Sequence, residues 1–467
     1  MRLLKLPKNQ PMSELQKIIS DQQIYFQSGT TKGLTFRKEQ LKKLKSQISR
    51  FEEQFCSSVY EDFKKPHFET FETEIGLLYS EIDFTLRNLE QWTSKRTVET
   101  NLANLPARSY IQAEPFGVSL IIGAWNYPFL LTLHPLISAI AAGNTAIVKP
   151  SEVAIKSSEA VSDLIQSTFP KEYVFCAQGD HSVAQELLAQ RFDKIFFTGG
   201  PAVGKIVYKA AAEHLTPVTL ELGGKSPAFI LPDANWKTTP KKLVWGKFIN
   251  AGQTCVAPDY LLVHERDAPK LLEGLKMQIE KIHGPNPAES EAFSRIVNDR
   301  HFERVSKLID KSKVYCGGQI DAEKRYIAPT VLYPATWEDA CMQEEIFGPV
   351  LPVMPYSDFD SAIDEVKKRP KPLALYVFSK GRKARKKIMD QLSFGAAIQN
   401  DTLVHFANVH LPLGGVGDSG IGNYHGKYGF DAFSHYKSVM LRPSWPEPNI
   451  KYPPYTNWKQ RLLRKLI

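Results

Sequence analysis

From residue 118 onward the chain alternates short apolar runs with longer amphipathic stretches, and this alternation restricts the fold more than any other feature. Val118-Ser-Leu-Ile-Ile122 reads as a strand, Pro128 to Ala142 as a helix stopped by Gly143, and Thr145-Ala-Ile-Val148 as a strand before a helix from about Lys156. Tyr173-Val-Phe-Cys176, a short helix, Lys194-Ile-Phe-Phe197 and a helix from Ala202 continue the series. It resumes after Cys255, with strands at Tyr260–Val263, around Thr330, near Pro349–Pro355 and at Leu373–Phe378, and helices from Pro269 and at Ser361–Lys368. Strands without polar alternation are buried on both faces, and strands joined through helices pair in parallel. The economical architecture is α/β, with two doubly wound lobes. Pro217-Val-Thr-Leu-Glu-Leu-Gly-Gly-Lys-Ser-Pro227 enters a glycine turn and marks a crossing point between them.

The first hundred residues obey a different period. Leu34, Leu41, Leu44, Ile48 and Phe51 recur at helical spacing, as do Phe71, Ile75, Leu78, Ile82, Leu86 and Leu89. The net charge of +9 over 467 residues is spread along the chain. No Lys/Arg stripe is interleaved with aromatics, so no nucleic-acid partner is expected, and no Cys/His spacing suits a metal. The five cysteines are odd in number and scattered, which points to a reducing compartment. Met1 to Pro7 lacks the apolar core of a signal peptide, and no run approaches the ~20 apolar residues that span a bilayer. A cytoplasmic location is expected.

Cys255, in Asn250-Ala-Gly-Gln-Thr-Cys255, follows an expected helix at Trp236–Phe248 and precedes Pro258. A cysteine is most often a small buried hydrophobe, but one on a loop beside a glycine can serve as a nucleophile once a base is near. Glu221 sits in the apolar strand Val218-Thr-Leu-Glu-Leu222; it is either an edge residue or a cleft carboxyl raised by burial into the range of a general base. Glu345, in Glu344-Glu-Ile-Phe-Gly-Pro349, offers the same two readings. Phe197-Thr-Gly-Gly-Pro-Ala-Val-Gly204 follows a strand and opens a helix, where free N–H groups favour an anion.

Taken together, Trp125-Asn-Tyr-Pro128, Val148-Lys-Pro-Ser-Glu152, Leu220-Glu-Leu-Gly-Gly-Lys225, Gly252-Gln-Thr-Cys255 and Glu344-Glu-Ile-Phe-Gly-Pro349 resemble, in kind and order, the motifs of the aldehyde dehydrogenase superfamily. Trp245-Gly-Lys-Phe248, Lys371-Pro-Leu-Ala-Leu375, Leu413-Gly-Gly-Val-Gly417 and Tyr424-His-Gly-Lys427 are similar to its class 3 branch, and the likeness runs from about residue 12 to about 455. The resemblance implies two Rossmann-like lobes with a small β bridging element, and oxidation of an aldehyde with NAD or NADP. Cys255 would form a thiohemiacetal and then a thioester, Asn126 and the Cys255 N–H would hold the oxyanion, and Glu221 would activate water, with Glu345 as the rival base. Lys149, Glu152, Gly199, Gly204, Glu345 and Phe347 would meet the cofactor, NAD in preference because Glu152 faces the ribose. Gly199-Gly-Pro-Ala-Val-Gly204 lacks two hydroxyls common in relatives. Tyr127, Trp245 and Leu413 would line the substrate tunnel, suiting a medium- or long-chain aliphatic or an aromatic aldehyde.

The resemblance also implies a homodimer and a division of the chain. Residues 1–96 and 116–222 would bind the cofactor and 223–403 would be catalytic. Residues 97–115 and 404–440 would bridge to a partner, a hairpin around 97–115 pairing with the partner's catalytic sheet, and 441–467 would be a tail. In the tail, Trp458-Lys-Gln-Arg-Leu-Leu-Arg-Lys-Leu-Ile467 alternates cations with apolar residues, which suits either a packed terminal helix or weak contact with anionic lipid. The alternatives are a dehydrogenase for a small polar aldehyde and a non-catalytic homologue that kept the fold.

Overall fold

The computed structural model describes residues 12–466, so Met1–Pro7 and Ile467 lie outside the described residues. Two large sheets organise it. The first has six strands in the order Gly420–Ile421, Val218–Glu221, Lys194–Thr198, Val118–Ile122, Thr145–Lys149, Val174–Cys176, and only Gly420–Ile421 runs antiparallel. The second has seven, in the order Val314–Cys316, Thr330–Leu332, Val350–Tyr356, Tyr260–His264, Pro227–Ile230, Ala374–Phe378, Ala396–Gln399, with only the first pair antiparallel. This is the α/β architecture expected from the alternation.

Burial explains why the strands read as unbroken apolar runs. Every residue of Val118–Ile122, Thr145–Lys149 and Ala374–Phe378 is buried. Helix Glu14–Gln27 starts on a reciprocal cap between Ser13 and Gln16, and places Ile18 and Ile19 in the core on one face of the six-stranded sheet. On the other face helix Leu34–Phe63 buries Leu41, Leu44, Ile48, Phe55, Val59 and Phe63 together with residues of Gly76–Thr93, Leu130–Ala142 and Ile155–Thr168.

Three details depart from the expected periods. The helix expected from Phe71 begins at His67–Thr70 and passes through a π-helical turn, Phe71–Ile75, before the regular stretch Gly76–Thr93. The helix expected from Trp236 begins at Thr239, with Pro240 in its first turn, where a missing N–H costs nothing. The hairpin around 97–115 is present as Arg96–Val98 against Arg108–Pro115, and Ser434–Leu441 pairs along the second edge of Arg108–Pro115. The longer hairpin strand is therefore covered on both sides, and the outer edges of this small sheet belong to Arg96–Val98 and Ser434–Leu441.

Candidate active site

The carboxyl ends of the parallel strands in the six-stranded sheet carry Ile122, Lys149, Thr198 and Glu221. Strand order reverses between Val118–Ile122 and Lys194–Thr198, and such a switch point opens a crevice where ligands bind. Glu221 ends its strand there. It is 3% exposed, neither carboxyl oxygen has a hydrogen-bond partner, and burial drives its pKa well above the usual carboxylate range.

Cys255 reaches the same place on an unusual loop. After helix Thr239–Phe248 the chain makes three successive left-handed residues: Asn250 (φ 53°), Ala251 (φ 51°) and Gly252 (φ 74°). A Cβ on Gly252 would stand 2.3 Å from the carbonyl oxygen of Gly348, so only glycine fits. A left-handed residue other than glycine costs roughly 1–2 kcal/mol, and here surrounding hydrogen bonds hold the conformation. The Asn250 Nδ2 donates to the carbonyls of Asn126 (2.8 Å) and Gln253 (3.1 Å). The Gln253 Nε2 donates to the carbonyls of Asn250 (3.1 Å) and Arg295 (3.0 Å), while its Oε1 accepts from the Val297 N–H (3.0 Å). The Tyr376 hydroxyl donates to the Val256 carbonyl.

Asn126 is joined to this loop by a hydrogen bond from its Nδ2 to the Gln253 carbonyl, 3.1 Å, which leaves the second amide proton for a ligand. The Tyr127 hydroxyl lies 2.6 Å from the Thr254 Oγ1. Burial pushes the Cys255 thiol up to about 12, and the carboxyls of Glu345 and Glu221 push the same way; the N–H groups of Cys255 and Val256, which point at the sulfur, oppose them. Both carboxyls therefore lie close enough to act on the thiol electrostatically.

Glu345 is aimed by cations gripping its backbone. The Lys225 Nζ pairs with Asp259 (2.5 Å) and donates to the carbonyls of Cys341 and Glu344, and Arg304 donates to the carbonyls of Glu345 and Ile346. The Glu345 carboxyl lies so close over Gly223 that a Cβ there would meet its Oε2 at 2.0 Å. Burial and Asp259 raise its pKa to about 8, against the Gly224 N–H, Lys225 and Arg304. Phe347 follows with φ 48°, its ring edge-on to Trp125 at 5.4 Å.

At the crevice's other end the helix Pro201–Ala212 has Gly200 as its N-cap and no side-chain cap, so its first N–H groups are free for an anion. The Thr198 Oγ1 beside them is buried without a partner. Gly199 packs on the Phe197 ring and Gly204 on Leu222, and a Cβ on either would clash below 2.8 Å. Lys149, 1% exposed, directs its Nζ to the exposed Glu152 (2.8 Å). An uncapped helix start, an orphan hydroxyl and a basic–acidic pair along one crevice fit the phosphates and ribose of a dinucleotide.

The structure thus brings Cys255, Glu221, Glu345 and Asn126 together, and places Lys149, Glu152, Gly199 and Gly204 along the crevice at the carboxyl ends of the six-stranded sheet. Tyr127 is buried, and Trp245 and Leu413 are half-buried, Leu413 paired through its backbone with Tyr424. Sequence reasoning missed Arg304, Tyr376, Glu69, Lys65 and Glu74. Nothing local singles these residues out; Glu69, for example, reaches Asn250 across 181 positions.

A thiol near two buried carboxyls, beside a crevice whose residues fit a dinucleotide in a doubly wound α/β fold, is the arrangement of a cofactor-dependent oxidoreductase. The model of the aldehyde dehydrogenase family matches residues 8–439. The chain is 45% identical to the 4,4'-diaponeurosporen-aldehyde dehydrogenase of Staphylococcus aureus, covering 95% of this chain and 97% of that protein. It is 43% identical to the dimeric NADP-preferring aldehyde dehydrogenase of Mus musculus, covering 95% and 98%. The solved substrate-bound Staphylococcus aureus AldH superposes with a TM-score of 0.95 at 44% identity, covering 97% of this chain and 99% of that one. The chain belongs to the aldehyde dehydrogenase family, and it is an NAD(P)-dependent enzyme that oxidises an aldehyde to the acid. No helix among the described residues is long and apolar enough to cross a membrane.

Proposed function

We propose that this enzyme oxidises medium- or long-chain aliphatic or aromatic aldehydes through Cys255, with Glu221 as the hydrolytic base. The observation that carries the reading is the convergence of the Cys255 thiol with the unpartnered Glu221 carboxyl and the Asn126 amide. The resting thiol is protonated, so attack on the carbonyl carbon needs a carboxylate to take the proton. The Asn126 amide and the Cys255 N–H receive the oxyanion of the tetrahedral adduct, and one such donor contributes ~3–4 kcal/mol. Bound NAD(P) supplies the hydride acceptor. Glu221, with both oxygens free, then takes a proton from the water that attacks the thioester; Glu345 is tied to Gly224 and competes less well.

Tyr127, Trp245 and Leu413 supply the aromatic and aliphatic walls of a tunnel. The likeness to family 3 aldehyde dehydrogenases supports the same substrate class. A panel of aldehydes by chain length tests this: kcat/KM rises from propanal to decanal, and a fall along the series favours a small polar substrate.

NAD is the preferred cofactor on this reading, because the Glu152 carboxylate repels a 2′-phosphate; a higher kcat/KM with NADP overturns it. The proposed division is a cofactor unit (1–96, 116–222) around the six-stranded sheet, a catalytic unit (223–403) around the seven-stranded one, a bridging element (97–115, 404–440), from which Gly420–Ile421 joins the six-stranded sheet, and a tail (441–467). A homodimer would pair the outer edge of Ser434–Leu441, with Tyr436, Met440 and Leu441 exposed, onto the Ala396–Gln399 edge of a second copy's sheet. The tail helix Asn457–Leu466 carries the exposed Trp458 with Arg461, Arg464 and Lys465, and Tyr455 just before it is exposed as well. This supports weak, salt-sensitive contact with anionic lipid, tested by liposome sedimentation of the full chain against a truncation before Trp458.

A further inference from the structure

A ten-residue stretch before the first long apolar strand puts three charged side chains into the interior. Lys65 and Glu74 are 0% exposed and Glu69 is 9% exposed, between the core residues Phe63 and Ile75. Burying an ion costs several kcal/mol even after relaxation, so a segment that had only to pack would carry apolar residues there.

Each of the three reaches a different part of the active-site frame. The Glu69 Oε1 accepts the backbone N–H of Asn250 at 2.8 Å, at the first left-handed residue of the Cys255 loop. The Lys65 Nζ pairs with the Glu74 Oε1 at 2.8 Å and sits 4.1 Å from the centre of the Tyr127 ring. The Glu74 Oε2 accepts the N–H groups of Phe129 (2.9 Å) and Leu130 (3.2 Å), where the Trp125–Pro128 segment turns into a helix that has no side-chain cap of its own. Five residues along a regular α-helix, Glu69 and Glu74 would point about 140° apart. The π-helical turn Phe71–Ile75 between them changes that phase, and such turns recur at functional sites.

We propose that Lys65, Glu69 and Glu74 are positioning residues that hold the two halves of the oxyanion-binding site in register. The inference rests on the reading of Cys255 and Asn126 given above. One half is the Asn126 amide, carried by the segment that Glu74 and Lys65 anchor. The other is the Cys255 N–H, five residues beyond the peptide that Glu69 holds. The three successive left-handed residues make that loop the strained one of the two, so loss of the Glu69 acceptor frees Asn250 to relax and turns the Cys255 N–H away from the carbonyl it must meet. None of the three residues touches substrate or transfers a proton.

The test separates positioning from packing by a reaction that needs the thiol but no oxyanion donor. Glu69→Ala should slow the first-turnover appearance of NADH by about 10- to 100-fold, the scale on which misplacement alone acts. Alkylation of Cys255 by iodoacetamide and the dissociation constant for NAD should stay close to the parent values. Glu69→Gln, whose amide oxygen still accepts the Asn250 N–H, should recover most of the lost rate. Lys65→Met with Glu74→Gln, a neutral replacement of similar volume, is the second variant and should give the same signature, because neutral substitutes for buried pairs often preserve stability. Parent-like NADH formation in Glu69→Ala overturns the proposal, as does equal slowing of alkylation with no recovery in Glu69→Gln. If Glu69→Ala does not fold, the double variant decides on the same two readouts. Failure of the underlying reading is distinct: Cys255→Ser would then remain active.

Discussion

Two groups of buried carboxyls surround Cys255, and they are built in opposite ways. Beneath the loop, Glu69 and Glu74 are fully engaged, one holding the Asn250 N–H, the other an ammonium and two N–H groups. Across the crevice, Glu221 has no partner at all, and Glu345 takes one N–H while facing a second acid, Asp259. A carboxyl whose oxygens hold backbone N–H groups contributes geometry, as Glu69 does at Asn250 and Glu74 at Phe129 and Leu130. One with few or no partners costs stability when ionised, and burial raises its proton affinity, so that its ionised form takes up a proton readily. The contrast separates the scaffold of the site from its reagents.

Removing the nucleophile is the most severe way to sharpen that contrast. Cys255→Ser should abolish aldehyde oxidation while NAD binding, followed by fluorescence titration, stays nearly unchanged, since the weaker nucleophile is lost and the crevice at Thr198–Gly204 is not. An equal loss from changing Cys56, Cys176, Cys316 or Cys341 instead would break it.

Stability should move in opposite directions for the two groups. Lys65→Ala leaves Glu74 buried and unpaired and should cost ~3–5 kcal/mol in denaturant unfolding. Glu221→Gln removes a buried carboxyl with no partner and should leave the midpoint unchanged or raise it. A large loss in Glu221→Gln would mean that Glu221 belongs to the scaffold.

A smaller effect is expected from pH. The Glu345 carboxyl sits at about 8 in the folded chain against an ordinary 4.5. Between those values the folded state keeps a proton that the unfolded state has released, so the contribution is complete below 4.5 and is lost as pH rises through about 8. Unfolding free energy should therefore fall from acid toward alkaline pH across this window, and Glu345→Gln should flatten the fall. A slope left unaltered in Glu345→Gln would assign the proton to another buried carboxyl, Glu69, which burial pushes up to about 7, or Glu221.

What the sequence made legible follows the range of the interactions. Strands such as Val118–Ile122 and Ala374–Phe378 announce themselves because burial on both faces leaves an unbroken apolar run within one element. Cys255 and Glu221 stand out because each sits against glycines whose lack of a side chain has a local cause, Gly252 under Gly348 and Gly223 under Glu345. The return of Gly420–Ile421 to pair with Val218–Glu221 leaves no such mark, since its partner lies two hundred residues away. Glu69 is illegible for the same reason, compounded by the π-helical turn that breaks the helical period by which His67–Ile75 would be read. Charged residues in a helical segment ordinarily mark its wet face. Here they mark its buried one.

The most direct test of the division between scaffold and reagent is the fate of the thioester. Glu221→Gln, mixed with NAD and hexanal and quenched, should show stoichiometric NADH and an acyl group on the peptide bearing Cys255 by mass spectrometry, followed by slow turnover. The same adduct accumulating in Glu345→Gln and absent from Glu221→Gln would contradict the account and exchange the roles of the two carboxyls.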